Sequence, residues 1–248
     1  MPIYDIALFT HRGAVRTANE DAVYAGGRIF QGNMRDVVTM QLKGAPQTVL
    51  AADGIGGQPH GDFASRAALQ FLTSEAGPLD SPARCEAALH AANDHLYRLM
   101  STPDRIGMGS TIVGATVQQS ALITFNVGDS RAYLLSSHGL AILSHDDVPG
   151  SDERGGQSRS SHEITQALGG VETSLAILPH VSVCPLLAKG NRLLLCTDGL
   201  TDALADEEIE DILRMPEPSK TVVEGLVRKA IIAGSRDNIS VLLVGNSH

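Results

Sequence analysis

Tryptophan is absent from this chain, and only four tyrosines and five phenylalanines occur in 248 residues, so the interior has to be built from aliphatic side chains and alanine. Hydrophobic residues still make up 43% of the sequence, which excludes a disordered chain. Cysteine is scarce too. Cys85, Cys184 and Cys196 are odd in number and far apart, and two of them sit in apolar runs. That pattern disfavours a disulfide framework and a thiolate metal site, and it predicts buried thiols in a reducing compartment. Basic charge is in deficit, with 19 Lys and Arg against 28 Asp and Glu and a formal charge of -9. A nucleic-acid backbone as main partner needs clustered cations and is therefore not expected. No apolar run approaches the roughly 20 residues of a membrane span, and the N-terminal MPIYDIALFTHRG lacks the basic-then-apolar order of a secretion signal. The expectation is a cytoplasmic protein without membrane insertion.

What is present is a set of short apolar runs and two kinds of periodicity. The length fits one domain over 1–248. Strands are predicted over 3–9, 48–52, 181–183, 192–196 and 239–244, with the segment between the first two read as mostly loop. Runs over 111–117, 121–127, 132–135 and 140–143, divided by Gly, Ser, Gln and His, read as one antiparallel meander. Phe63, Ala64, Ala67, Ala68, Phe71 and Leu72 recur at helical spacing, and Gly77-Pro78 ends the pattern. Ser81-Pro82 is a cap followed by proline at the first helical position, opening a second helix to Leu99. Further helices are predicted over 206–215 and 222–231, the last closed by Gly234. Residues 149–161, polar and aperiodic, read as a mobile surface loop. Strands in clusters with helices in sequential pairs favour an α+β sandwich over a doubly wound parallel sheet.

The chemistry lies in a repeated pattern. TVLAADG, ITFNVGDS and LLLCTDG each run an apolar strand into a small residue and then an aspartate, namely Asp53, Asp129 and Asp198. Asp237 precedes the last apolar strand, and Glu20 and Asp21 follow a turn-like stretch. A single Asp-Gly is what an ordinary turn needs. Three strand ends of this kind suggest convergence, and converging carboxylates repel one another unless protons or hard cations such as Mg²⁺ or Mn²⁺ intervene. The nine histidines form no HExxH pair or other zinc spacing, and no P-loop Lys-Ser/Thr accompanies Gly54, Gly56 and Gly57. Those glycines read as positions of positive φ that let the chain pass close to bound ions.

The ordered motifs Val15-Arg16-Thr17-Ala18-Asn19-Glu20-Asp21, Ala52-Asp53-Gly54-Ile55-Gly56-Gly57, Gly109-Ser110-Thr111, Asn126-Val127-Gly128-Asp129-Ser130-Arg131-Ala132, Cys196-Thr197-Asp198-Gly199-Leu200-Thr201-Asp202 and Arg236-Asp237-Asn238 span nearly the whole chain. In this order they resemble the metal-dependent protein phosphatases, the type 2C serine/threonine phosphatases, and their compact bacterial branch best. The resemblance implies a four-layer α/β/β/α sandwich with two central antiparallel sheets flanked by helices. It implies two Mn or Mg ions and room for a third. Asp53 would bridge the pair, with Glu20 and the Gly54 carbonyl on one side and Asp198 and Asp237 on the other. Asp21 would act through bound water, and Asp129 with Asp198 would hold the third ion. The catalytic set would be Arg16, Asp53 and Asp198, with a metal-bridging water or hydroxide attacking phosphorus directly while Arg16 grips the phosphate.

Three departures from the family pattern stand out. Ile55 occupies the place where many eukaryotic members carry a histidine proposed as general acid, leaving His60 as the nearest imidazole. His162 stands for the usual asparagine before Thr165-Gln166-Ala167-Leu168-Gly169, and His145-Asp146-Asp147 replaces the commoner Asp-His-Ser. The expected partners are phosphorylated proteins, among them a serine/threonine kinase or a forkhead-associated protein, met by a monomer. Two alternatives stay open: a catalytically silent module that binds phosphoprotein, and hydrolysis of a small phosphorylated metabolite.

Overall fold

The computed structural model describes residues 2–55, 60–150 and 163–246. Gly56, Gly57, His162 and most of the loop expected over 149–161 lie outside them. In chain order the first half contains β1 (Ile3–His11), β2 (Ala22–Ala25), β3 (Arg28–Gln31), β4 (Val38–Lys43), β5 (Gln47–Ala52) and β6 (Gly54–Ile55). Helices α1 (Gly61–Ser74) and α2 (Pro82–Leu99) follow, then β7 (Gly109–Ser110), β8 (Ile112–Val117) and β9 (Leu122–Val127). The second half contains β10 (Arg131–Ser136), β11 (Gly139–Ile142), β12 (Leu168–Gly169), β13 (His180–Cys184) and β14 (Arg192–Cys196). It ends with α3 (Asp198–Thr201), α4 (Asp206–Leu213), α5 (Ser219–Ile232) and β15 (Ile239–Asn246).

Two six-stranded antiparallel sheets form the centre, in the orders β11-β10-β14-β15-β1-β4 and β13-β9-β8-β5-β2-β3. Their facing sides share an apolar core of Tyr4, Ile6, Leu8, Val49, Val113, Leu193, Leu195 and Leu242, aliphatic as the composition demands. Helices α1 and α2 cover the outer face of the second sheet, and α4 and α5 cover that of the first. This is the four-layer α/β/β/α sandwich.

The helix signals act as expected. The Ser81 hydroxyl accepts the Arg84 N–H at 3.4 Å, with Pro82 in the first turn, and Gly234 takes the left-handed conformation just past α5. Other expectations need correcting. The segment between β1 and β5, read as mostly loop, contains β2, β3 and β4. The run over 111–143 is not one meander, because β8 and β9 belong to one sheet and β10 and β11 to the other. Gly128-Asp129-Ser130 is the crossing between them, and the core between the sheets can only close if the chain changes layers there. Of the thiols, Cys85 and Cys196 are buried, whereas Cys184 on the edge strand β13 is only partly covered.

Candidate metal centre

The pairing register decides where the carboxylates go. Ala22 lies opposite Ala52, so the start of β2 and the end of β5 share one end of their sheet, with Glu20-Asp21 and Asp53 just beyond. Ile112 lies opposite Val127, which puts Asp129 at that end as well. In the other sheet Arg131 pairs with Cys196 and Cys196 with Val241, bringing Asp129, Asp198 and Asp237 to its matching end. Strand termini from both sheets thus open on one cavity of about 850 Å³. Its walls include Arg16, Glu20, Asp53, Gly54, Asp129, Asp198 and Asp237. Asp21 is fully buried behind that wall, where its Oδ2 accepts the hydroxyls of Thr197 at 2.9 Å and Ser240 at 2.7 Å.

The uncharged motif residues hold the charged ones in place. Thr111 Oγ1 accepts the Asp53 N–H at 3.2 Å and lies 2.8 Å from Ser130 Oγ, tying the Asp53 turn to the Asp129 crossing. The Ser110 hydroxyl donates to the Asp53 carbonyl at 3.0 Å. Asn238 accepts the Glu20 N–H at 2.7 Å and donates to the carbonyls of Ala18 and Arg12, so it clamps the loop that carries Arg16 and Glu20. Gly54 matters through close approach and not through positive φ, contrary to expectation: a Cβ there would meet the Gly61 carbonyl oxygen at 2.1 Å and that of Glu20 at 2.8 Å. Gly199 is as tightly held, since its Cβ would lie 1.9 Å from the Asn238 carbonyl oxygen.

The electrostatics are those of a site built for cations. Burial, and then the charges of Asp21, Asp198, Asp237 and Asp129, push the Asp53 carboxyl well above the usual range. Asp198 moves the same way, through burial first and then Asp129, Asp237, Asp202 and Asp21. Asp21 is pushed up to about 7 and Asp129 to about 6, burial again being the first cause. Asp21 Oδ1 and Asp198 Oδ1 are buried without a hydrogen-bond partner among the described residues. A buried carboxylate oxygen with no donor needs a proton, a water or a cation, and an all-oxygen donor set suits Mg²⁺ or Mn²⁺. The residues therefore fit a hard-cation centre. They are spread over a basin wider than one ion's shell. Among the described residues, the one group of three His, Cys, Asp or Glu side chains with ligand atoms all within 4.8 Å lies elsewhere, at His145, Asp147 and His180.

Arg16 reaches the same cavity and donates through one terminal nitrogen to Asp237 Oδ2. Ile55 lines the wall, and among the described residues no histidine does. His60, the nearest imidazole in sequence, turns to Asp104, with Nε2 3.6 Å from its carboxylate. Asp202 closes the motif that begins at Cys196, but the sequence pattern assigns it no role. It lines the cavity, and its charge raises both Asp129 and Asp198. The signal was available: it stands four residues after Asp198, one helical turn along α3 and its cap.

Fold and site together define a β-sandwich that gathers carboxylates from both sheets around a hard-cation basin. The sequence profile of protein phosphatase 2C matches residues 32–228, and the chain belongs to that family. It is 31% identical over 241 residues to the serine/threonine protein phosphatase PstP of Mycobacterium tuberculosis. That match covers 94% of this chain but 43% of the relative, so the chain spans less than half of PstP's length. The serine/threonine phosphatase stp of Listeria monocytogenes is 31% identical over 255 residues, covering 95% of this chain and 93% of the relative. The catalytic domain of PstP in complex with two manganese ions superposes with a TM-score of 0.78 at 30% identity, covering both chains fully.

Proposed function

We propose that this protein is a metal-dependent phosphatase acting on phosphoserine and phosphothreonine side chains of other proteins. The observation that carries the reading is the convergence of Glu20, Asp53, Asp129, Asp198 and Asp237 with Arg16 on one cavity open to solvent. Glu20, Asp53 and the Gly54 carbonyl would hold one cation, Asp53, Asp198 and Asp237 a second, and Asp129 with Asp198 a third, with Asp21 acting behind Asp53 through water. Two such ions, when bound, supply a nucleophilic water at neutral pH and offset the charge of a phosphate monoester.

The chain's own part is to orient and to bind. The Arg16 fork is planar and always charged, so it can take two phosphate oxygens at once, whereas a lysine would offer a point charge. Its position at the rim, with the side chain 48% exposed, suits a phosphate carried on a protein surface. Burial and neighbouring carboxylates oppose the charged forms of Asp53 and Asp198, and a bound cation would relieve that opposition. The apolar Ile55 offers no proton to the leaving serine or threonine oxygen. The partners proposed are phosphoproteins, including a serine/threonine kinase or a forkhead-associated protein, met in the cytoplasm by a single-domain monomer.

The test is phosphate release from phosphoserine, phosphothreonine and phosphotyrosine peptides and from phosphorylated metabolites, with Mn²⁺ and with chelator. Turnover of the first two peptides that needs Mn²⁺ is the expected result. Binding of phosphopeptide without turnover at saturating Mn²⁺, or a preference for metabolites, would overturn it.

A further inference from the structure

The motif His145-Asp146-Asp147 is absorbed by the cavity chemistry only in part. Asp146 faces Arg131, which donates to it through Nε and a terminal nitrogen. His145 and Asp147 turn the other way and meet His180 on β13, none of the three lining the cavity. We propose that His145 Nδ1, Asp147 Oδ1 and His180 Nε2 form a separate site for one divalent cation of the zinc class.

Three lines of observation support it. Each of these side chains offers a ligand atom within 4.8 Å of one from each of the other two, and the donor set differs in kind from that of the cavity. Two imidazole nitrogens and one carboxylate oxygen suit a borderline cation such as Zn²⁺, whereas the all-oxygen basin suits Mg²⁺ or Mn²⁺. The chain can therefore sort two classes of metal. Second, His145 Nδ1 is buried and has no hydrogen-bond partner among the described residues. Third, one strand end orients all three ligands. The Asn126 side chain accepts the His145 N–H at 3.1 Å and donates to the His145 carbonyl at 2.7 Å, while Asn126 itself is the register partner of His180. Two residues on, the Gly128 N–H donates to Asp147 Oδ2 at 2.8 Å and the Gly128 carbonyl accepts the Asp147 N–H at 3.1 Å. Fixing Oδ2 in this way aims Oδ1 at the histidines, as outer-shell bonds do at protein metal sites.

The arrangement needs one adjustment. The two rings are stacked, with centroids 4.5 Å apart and planes 28° apart, whereas ligand lone pairs must converge on the ion. His180 is the ring with room to turn, being one-third exposed on an edge strand. Its Nε2 lies 2.8 Å from Asp147 Oδ1, a hydrogen-bond distance. A cation at about 2.0–2.2 Å from each ligand takes the place of the proton between them, so that proton moves to the other ring nitrogen or to solvent. Gln166 Nε2, 2.8 Å from the same Oδ1, keeps the carboxylate in place while the ring turns. Solvent on the exposed side of His180 supplies the remaining coordination.

The test is a Zn²⁺ titration of the full chain in excess Mg²⁺, read by the ring nitrogen resonances of the histidines. The expected result is that His145 Nδ1 and His180 Nε2 shift together on adding one equivalent. His145→Ala and His180→Ala, checked for native circular dichroism, should each weaken that binding by at least about tenfold, the lower end of what lost outer-shell partners alone cause. A crystal of the parent soaked in zinc gives a reading that needs no variant: an anomalous peak within bonding distance of all three atoms. Unshifted ring resonances, a peak only in the carboxylate basin, or a folded His180→Ala protein that binds zinc like the parent would each overturn the proposal.

Discussion

Arg16 and Asp237 stand 221 residues apart in the sequence and are joined by a hydrogen bond at the mouth of the carboxylate cavity. The other oxygen of Asp237 accepts the Asn238 N–H at 2.7 Å, so the carboxylate is held from both sides. Arg16 Nη2 and a cation would compete for the same Oδ2. A cation on Asp237 would loosen Arg16 and turn its fork toward a phosphate, which would link metal loading to substrate capture.

That link gives the first prediction. Arg16→Lys keeps the charge but loses the fork, so KM for a phosphopeptide should rise by about tenfold, equivalent to about 1.4 kcal/mol, with a smaller change in kcat. Asp237→Asn should behave differently, raising the Mn²⁺ concentration needed for half-maximal rate by at least about tenfold. Steady-state kinetics across a Mn²⁺ series separates the two. Equal effects of both variants on KM and on metal demand would count against separate roles.

The second prediction concerns pH. Asp21 at about 7 and Asp129 at about 6 lie above the values they have in an unfolded chain, and burial with like-charged neighbours raises Asp53 and Asp198 in the same direction. An acid of this kind binds more protons folded than unfolded, so its contribution is full below about pH 4 and is lost as pH climbs through the folded value. In chelator the protein should therefore melt at a lower temperature near pH 8 than near pH 5.5, and Mn²⁺ should close most of the gap. Asp53→Asn removes one mutually repelling charge. It should raise the chelated protein's Tm near pH 8, at about 2–4 °C per kcal/mol for a chain of this size, while lowering phosphatase activity by at least about 100-fold. Scanning calorimetry at the two pH values decides the matter.

Much of this site was legible because its carboxylates sit where strong patterns stop. TVLAADG and LLLCTDG announce a buried strand and its end within seven residues, and the same two segments deliver Asp53 and Asp198. What the pattern could not tell was which strands share a sheet. The runs ending at Val127 and starting at Arg131 look like hairpin neighbours, yet the chain changes layers between them, and only long-range pairing with Ile112 and Cys196 settles that. Val38–Lys43 alternates strictly, but it is an edge strand whose second face is solvated, so its six residues carry a short signal that is easily read as loop. The two-residue strands β6, β7 and β12 are too short to carry any periodicity.

The third prediction sets two glycines against each other. Gly199→Ala puts a methyl 1.9 Å from a backbone oxygen that cannot move without shifting Asp237 and Asn238. Overpacking of that kind costs about 1–3 kcal/mol, and Mn²⁺ affinity should fall with it. Gly225 lies in α5, where a Cβ would meet only the Ile212 side chain at 3.4 Å. Gly225→Ala should stabilise the fold by about 0.5–1 kcal/mol through helix propensity, leaving activity unchanged. Urea denaturation of both variants tests the pair, and a stabilised Gly199→Ala protein would contradict the packing described here.

The fourth prediction separates holding a ligand from being one. Thr111 Oγ1 is bonded to the backbone N–H of Asp53 and to the hydroxyl of Ser130, and all three residues are buried. Thr111→Val has nearly the same shape, so the loss is confined to hydrogen bonding: two buried polar groups lose a partner, at about 1–3 kcal/mol each. The Asp53 turn and the Asp129 crossing would then no longer be locked together, so the Mn²⁺ requirement should rise while KM for phosphopeptide, which the proposed role of Arg16 would govern, stays within about twofold. Thr111→Ser restores the oxygen and should return the Mn²⁺ requirement to that of the parent. If serine fails to rescue while the protein stays folded, the methyl group and not the hydroxyl is what positions Asp53.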